Sequence, residues 1–543
     1  MKTVKADILA HAYLRLLADR GVDYLFSNSG TDFTPIMDGL AKYHDDPEFA
    51  LQVVLCPHEN TAMAMAHGYA LLSRTPQAVM VHVNVGTANA GLGIINASRS
   101  RIPMLVTAGT SPWFESDLPG SRDNFIQWGQ DSFDQAGYFR EYLRWDGELR
   151  GAAHLETVVD RALAICQSPP AGPVYLALPK EVLCQRIGDF RYEWPSRIRA
   201  PGPVEPGSVE EAVEILSKAD RPLVVVSELG RFRGGMEALV EFAEAWQVPV
   251  TEHVRRYVNF PTLHRLHAGF NPPADRADVI VVVESPVPWL PHRTKTRAKV
   301  IQIGVDPLYR DLPLRGFAAD VAVAGDPVLA LRKLTARADP RKRWLTPESP
   351  TVSGSRSLTK RLVSHVLGRI VDEDAMIFNE YNLDPGEISR SKPDGWFENS
   401  ISSGLGWALG AAMGAKLAEP DRTAIAAVGD GTYIFNTPVS AHHVSASHGI
   451  PFLTIVLNDH GWSTIKKAYL SSHPDGWCSR TGRFPLVRFG TDVKFEAIVE
   501  ACGGAGFRVE KTEDLEPMLR RALAVVREEK RQALVNVLCD SDA

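Results

Sequence analysis

The sequence predicts an α/β protein built from three doubly wound parallel-sheet domains. Three observations carry that expectation. Short runs rich in Val and Ile, apolar on both faces, alternate with helical stretches along nearly the whole chain, as strands inside a covered parallel sheet do. The chain has 543 residues, too many for a single core. Two stretches, "YEWPSRIRAPGPVEPGS" from Tyr192 and "TARADPRKRWLTPESPTVSGSRS" from Thr335, carry the Pro, Gly and Ser punctuation of linkers. They divide the chain into expected domains at 1–190, 200–335 and 355–543.

In chain order, "MKTVKADILAHAYLRLLADRGVDYLF" reads as an amphipathic helix leading into a strand. It lacks the continuous apolar centre of a signal peptide. Strands are expected at "QVVLC" (Gln52), "AVMVHV" (Ala78), "MLVTAG" (Met104) and "PVYLAL" (Pro173) in the first domain. "PLVVVSE" (Pro222), "VIVVVES" (Val279) and "KVIQIG" (Lys299) follow in the second. "AMIFNE" (Ala375), "TAIAAVGD" (Thr423) and "FLTIVLND" (Phe452) follow in the third. A net charge of −6, with no basic excess, argues against a nucleic-acid partner. No run approaches the roughly 18 apolar residues of a membrane span. The six cysteines show no CxxC or other metal spacing, which points to free thiols, a reducing compartment and the cytoplasm.

The most informative unit begins at Ala427: "AVGDGTYIFNTPVSAHHVSASHGIPFLTIVLND". An apolar strand runs into Gly429-Asp430-Gly431, a helix over "IFNTPVSAHHVSAS" is expected next, and a second strand runs into Asn458-Asp459. In a parallel crossover, Asp430 and Asn458 fall just past the carboxyl ends of two strands, where open α/β sheets bind ligands. A carboxylate beside an amide oxygen is a hard donor pair suited to Mg²⁺ or Ca²⁺. The glycines let a phosphate approach the backbone, and a helix start offers unpaired N–H groups.

That spacing, GDG and then Asn just under thirty residues on, resembles the thiamine diphosphate (ThDP) motif. The resemblance covers essentially the whole chain and implies three domains: Pyr (aminopyrimidine-binding), middle, and PP (diphosphate-binding). It implies that Asp430, Asn458 and the carbonyl of His460 hold Mg²⁺, with Gly429, Gly431 and Thr432 at the diphosphate. "VVLCPHENTAMAMAHGYALLSR" resembles the glutamate segment of acetolactate synthase-like enzymes. Glu59, expected in an apolar setting, would share a proton with ring nitrogen N1′ of the aminopyrimidine and so promote loss of the thiazolium C2 proton. "NSISSGLGWALGAAMGAK" resembles the segment that bends the cofactor. Leu405 would be the wedge, Ser403 would offer its carbonyl, and Gly404 and Gly406 would allow close approach. "FNEYNL" offers Tyr381 and Asn382 as further cofactor contacts.

Within that superfamily, "VHVNVGTANAGLG" resembles the "H…GTGNA" stretch of benzoylformate decarboxylases, with His82 at their catalytic histidine. "SNSGTDF" aligns with their "NPGS" loop and places Thr31 where a serine holds the substrate carboxylate. His292 is a candidate for their second histidine. After Asn458, "DHGWSTIKKAYL" should cover the reacting centre, with Trp462, Thr464 and Ile465 in the substrate pocket. The expected activity is a non-oxidative 2-oxo acid decarboxylase with carboligase capacity. A 2-hydroxyacyl-CoA lyase or synthase remains an alternative, with a CoA nucleotide on Arg255, Arg256 and "HRTKTRAK" in the middle domain. So does an acetolactate synthase-like transferase, although "PLVVVSELGRFRGG" lacks that group's triple glycine and FAD is not expected. A nucleotide-binding regulatory protein is the non-enzyme alternative. Substrates would be a small 2-oxo acid, an aldehyde or an acyl-CoA. The family site forms between the Pyr domain of one subunit and the PP domain of its neighbour, which implies a homodimer at minimum and a homotetramer as the usual assembly.

Overall fold

The computed structural model describes residues 1–193, 202–271, 273–339, 344 and 357–540. Its internal contacts divide the chain into two units. One comprises Met1–Ile198, Asn399–Arg508 and Arg521–Asn536; the other comprises Arg199–Glu398, Val509–Arg520 and Val537–Ala543. All ten apolar runs singled out in the sequence are strands, and the sheets that hold them are parallel α/β sheets of five or six strands.

In the first unit, six parallel strands run in the order Gln52–Leu55, Tyr24–Ser27, Gln77–Val81, Met104–Thr110, Pro173–Pro179, Trp145–Glu148. Every residue of Gln77–Val81 and Pro173–Pro179 is buried. Their sequences are therefore continuous apolar runs rather than alternating ones. Helices Leu9–Asp19, Thr34–Lys42 and Ala152–Gln167 join this sheet in one apolar core. The same unit carries strands ordered Ala424–Gly429, Leu453–Asn458, Ala533–Leu538, Ala505–Val509.

The N-terminus departs from expectation. Lys2–Ile8 is a strand, paired antiparallel with Arg186–Tyr192, and the helix begins only at Leu9. Its alternation of polar and apolar residues is the two-residue period of a half-covered strand. The helix expected after Gly431 is two helices, Asp430–Phe435 and Pro438–His448. They break at Thr437, whose φ of +46° is left-handed, and Pro438 then opens the second helix. The first expected linker overlaps structure at both ends, since Tyr192 closes a strand and helix Pro206–Ser217 starts before the stretch is over. Most of the second linker lies outside the described residues.

The second unit holds a five-stranded parallel sheet ordered Val250–Glu252, Pro222–Val226, Val279–Val283, Lys299–Gly304, Val321–Ala324. Helices Pro206–Ser217, Gly235–Trp246 and Pro327–Thr335 share its core. Strand Met376–Glu380 pairs in parallel with Trp396–Glu398.

Within the first unit, helix Glu59–Ser73 is buried from Glu59 to Leu72 because it packs on both the sheet and helix Ala408–Ala418. The two helices approach through glycine. A Cβ at Gly68 would stand 2.0 Å from the Ala411 carbonyl oxygen, and one at Gly414 would stand 1.9 Å from that of Met65. A Cβ at Gly410 would meet Ala64 Cβ at 2.5 Å. No side chain fits at those distances without backbone displacement. Gly68→Ala and Gly414→Ala should each lower the unfolding free energy in urea by about 1–3 kcal/mol. Gly129→Ala, whose Cβ would meet nothing within 4 Å, should change it by less than about 0.5 kcal/mol.

Candidate active site

Glu59 opens helix Glu59–Ser73 directly after strand Gln52–Leu55, and His58 caps that helix by accepting from the Asn60 N–H at 3.1 Å. The carboxylate is buried but not in apolar surroundings. Asn28 Nδ2 donates to Oε1 at 2.9 Å and Asn89 Nδ2 donates to Oε2 at 2.5 Å. Each oxygen keeps one further lone-pair direction for a ligand. His82 follows strand Gln77–Val81 and shares a cavity of about 510 Å³ with Glu59. Asn28, Ser29, Val85, Gly86, Ala88 and Asn89 complete its lining, so every wall residue comes from the segment 28–89.

A residue that the sequence reading passed over organises this cavity. Asp32, one position after the expected Thr31, is buried, and its Oδ1 lies 2.5 Å from His82 Nδ1. Thr31 itself is exposed at the start of the short helix Thr31–Phe33. Two glycines make the slot for the pair. A Cβ at Gly30 would overlap the His82 ring at 2.1 Å, and one at Gly109 would overlap Asp32 Oδ2 at 1.9 Å. The carboxylate must accept the Nδ1 proton, so Nε2 is the atom that gains and loses a proton. Gln130 Nε2 sits 3.3 Å from it. The Asp32 hydrogen bond holds the His82 pKa above the ordinary imidazole value, against the opposing effect of burial; the charges of Asp32 and Glu59 add to it.

The second cluster lies at adjacent strand ends. Asp430 follows Ala424–Gly429 and Asn458 ends Leu453–Asn458, and the register pairs Gly429 with Leu457. Both side chains are buried. Asp430 accepts from Gly431 N–H at 2.7 Å and from Gly461 N–H at 2.8 Å, while Asn458 Oδ1 accepts from His460 N–H at 3.1 Å. His460 and Gly461 both have positive φ, +60° and +159°, which turns the chain sharply back over Asp430. Thr432 is buried in the first turn of the helix. The space beside Gly431 belongs to the Trp462 indole, which a Cβ there would strike at 2.4 Å. Trp462 also meets Phe435 and Phe489 edge to face, so it is a packing residue of the Asp430 turn. Thr464 and Ile465 sit exposed on helix Ser463–Ser472, which has no buried residue.

The loop before helix Ala408–Ala418 is held by two asparagines of the N-terminal segment. Asn96 donates to the Gly404 carbonyl at 2.8 Å and accepts from its N–H at 3.2 Å, and Asn60 donates to the Gly406 carbonyl at 2.7 Å. A Cβ at Gly404 would meet Asn96 and Leu92, and one at Gly406 would meet Phe435 and Asn60. These glycines therefore admit the chain's own side chains. Ser403 has φ +54°, and Leu405 between the clamps is half-buried.

In the second unit, Tyr381 has φ +66° and a largely open ring, while Asn382 bonds to Glu380 and Lys360. His292 is exposed. Arg255 and Arg256 point inward. Arg255 lies between the rings of Phe270 and Trp396 and beside Glu252, and Arg256 donates to the Glu398 carbonyl. Buried in this way, neither arginine is presented to a CoA nucleotide. After strand Pro222–Val226, the Gly230 N–H donates to Asn259 Oδ1 at 2.9 Å. All six cysteines are free thiols, and among the described residues no helix is long and apolar enough to cross a membrane.

Because Asp32 raises the His82 pKa, the imidazolium's contribution to stability is complete below the unfolded value of roughly 6.5 and disappears as pH rises through the higher folded value. Asp32→Asn should move the His82 titration downward in a histidine NMR titration. It should also remove the corresponding fall in stability above neutral pH in urea unfolding.

Three sequence models of the thiamine pyrophosphate enzyme family match the chain: the N-terminal TPP binding domain over residues 8–137, the central domain over 209–334 and the C-terminal TPP binding domain over 384–537. The chain is 26% identical to a benzoylformate decarboxylase of Pseudomonas aeruginosa, covering 97% of this chain and 98% of that protein. It is 25% identical to the acetolactate synthase isozyme 3 large subunit of Escherichia coli, covering 98% and 94%. Its fold superposes on a benzoylformate decarboxylase from Polynucleobacter necessarius with a TM-score of 0.84 at 20% identity, covering 99% of each chain. It superposes on a 4-hydroxybenzoylformate decarboxylase of Rhodococcus jostii RHA1 with a TM-score of 0.81 at 22% identity, covering 98% of this chain and 99% of that one. With its acid-bearing and GDG-bearing segments each inside a matched TPP binding domain, the chain belongs to the thiamine pyrophosphate enzymes and is a ThDP-dependent enzyme of the benzoylformate decarboxylase and acetolactate synthase family.

Proposed function

We propose that this enzyme is a Mg²⁺-dependent, non-oxidative decarboxylase of aryl or other bulky 2-oxo acids, with carboligase capacity toward aldehydes. The single observation that carries the reading is His82, held at Nδ1 by Asp32, in one cavity with Glu59. It supplies an imidazole whose Nε2 exchanges protons beside the carboxylate that the family's cofactor chemistry needs.

The donor set fits the metal. Asp430 carboxylate, Asn458 Oδ1 and the His460 carbonyl are hard oxygens gathered at neighbouring strand ends, and Mg²⁺ bound by so few protein groups keeps positions for phosphate and water. Gly429, Gly431 and Thr432 would serve the diphosphate, with Tyr381 and Asn382 as further contacts. Leu405 and the Ser403 carbonyl would support the bent cofactor. Glu59 would hold the aminopyrimidine ring nitrogen by a shared proton. When bound, ThDP supplies the electron sink for breaking the bond next to the carbonyl. His82 Nε2 would then deliver or take up the substrate's proton, with Thr31 and Gln130 at the carboxylate. Thr464 and Ile465 would face the substrate from the covering helix.

The cavity around Glu59 has walls only from residues 28–89, which supports a site completed by the PP domain of a second copy. We therefore infer a homodimer at minimum, assembled as a homotetramer. Six unpaired thiols suit a reducing cytoplasm.

The test is a substrate panel with holoenzyme: benzoylformate, pyruvate, a 2-hydroxyacyl-CoA, and formyl-CoA with an aldehyde, with products identified by mass spectrometry. Turnover of benzoylformate to benzaldehyde, reduced at least roughly a hundredfold in His82→Ala, supports the reading. Turnover of acyl-CoA substrates alone, or acetolactate formation from pyruvate, would replace it. Glu59→Gln should keep ThDP bound while slowing its C2–H exchange by at least roughly tenfold in NMR. Asp430→Ala should lose Mg²⁺-dependent ThDP retention on gel filtration.

A further inference from the structure

An amide ligand can offer a cation either its oxygen or its NH₂, and only the oxygen binds. Asn458 is buried, so its amide cannot turn to suit the ion without losing partners. Its Nδ2 donates to Asn536 Oδ1 at 3.2 Å, across to strand Ala533–Leu538. Asn536 is wholly buried, and its own Nδ2 donates to Glu496 Oε2 at 2.7 Å. Glu496 is held in turn by Arg508 at 3.5 Å, and Arg508 also pairs with Asp492 at 2.9 Å.

These contacts have one consistent polarity. A carboxylate only accepts, so Glu496 obliges Asn536 to present its NH₂. Asn536 must then show its oxygen to Asn458. Asn458 must answer with its NH₂, which leaves Oδ1 facing away from Asn536, on the side of the His460 N–H. We propose that Glu496, acting through Asn536, is a positioning relay that fixes the flip state of Asn458 and so presents its oxygen to the divalent cation. This rests on the reading of Asp430 and Asn458 as cation ligands. Neither Glu496 nor Asn536 touches the ion; both act through the hydrogen bonds that orient the group that does.

The experiment measures the Mg²⁺ concentration for half-maximal ThDP retention on gel filtration, together with the melting temperature of each metal-free protein. Asn536→Leu removes the acceptor, and the Mg²⁺ midpoint should rise at least about tenfold, the usual cost of losing an outer-shell partner. Glu496→Gln can donate or accept, so it frees the amide of Asn536, and the midpoint should rise as well. Adding Asn536→Asp to Glu496→Gln restores the polarity: the new amide donates, the new carboxylate accepts from both sides, and the midpoint should return to within about threefold of wild type. If Asn536→Leu does not fold, the Glu496→Gln pair of variants decides the matter. Midpoints equal to wild type, or a lowered metal-free melting temperature with an unchanged midpoint, would reduce the relay to ordinary packing and overturn the proposal. Wild-type retention that ignores Mg²⁺ would overturn the ligand reading and the relay with it. A Mg²⁺-dependent wild type with indifferent variants would overturn the relay alone.

Discussion

The backbone-to-backbone approach of helices Glu59–Ser73 and Ala408–Ala418 sets the positions of two site elements at once. One helix begins at the Glu59 carboxyl, and the other begins just after the Ser403–Leu405 loop. Gly68, Gly410 and Gly414 remove the side chains that would hold the helices apart, and the small neighbours Ala64 and Ala411 complete the contact. At the near end of the same contact, Asn60 and Asn96 fasten the loop through the carbonyls of Gly406 and Gly404. Thr61 adds hydroxyl contacts to Thr437 and Ser440 at 3.1 Å. Packing with so little slack converts a shift in either helix into a shift in the site.

The polar groups of the candidate site follow a common plan, in which each side chain has part of its hydrogen-bonding capacity committed to a protein partner. Asp32 occupies His82 Nδ1 and leaves Nε2. Asn536 occupies the NH₂ of Asn458 and leaves its oxygen. Two amides hold Glu59 in place and leave part of each oxygen. Away from the ligand sites, Tyr433 on the GDG helix is tied through His442 to Gln532 at 2.8 and 2.7 Å, which anchors that short helix to the chain just before strand Ala533–Leu538. Burial pushes His442 down to about 4, so it stays neutral and keeps its one-donor, one-acceptor pattern.

The strands were legible in the sequence because those covered on both faces leave long Val and Ile runs, and the GDG-to-Asn spacing was legible because one crossover encodes it locally. What escaped depended on distant neighbours. Asp32 sits in a loop already singled out, "SNSGTDF", but its partner lies fifty residues away and only the folded sheet brings them together. The bareness of Gly404, Gly406 and Gly431 is visible in the sequence, but not that Asn96, Asn60 and Trp462 stand where their Cβ atoms would be. Local signals were also present and outweighed. The alternation in Lys2–Ile8 was masked by the helical pattern that follows it, and the Asn-Thr-Pro at 436–438 marks a helix break.

The antiparallel pairing of Lys2–Ile8 with Arg186–Tyr192 joins the two ends of the first sheet's segment, so this part of the chain can close on itself while the rest is still being made. Its helix Glu59–Ser73, however, finds its covering partner only when residue 418 has emerged, about 230 residues later. At a synthesis rate of roughly 5–20 residues per second, that leaves a bare alanine- and methionine-rich helical face at the ribosome for about 10–45 s. A nascent chain of this enzyme thus passes through a sticky interval, in which shielding by a chaperone competes with clumping.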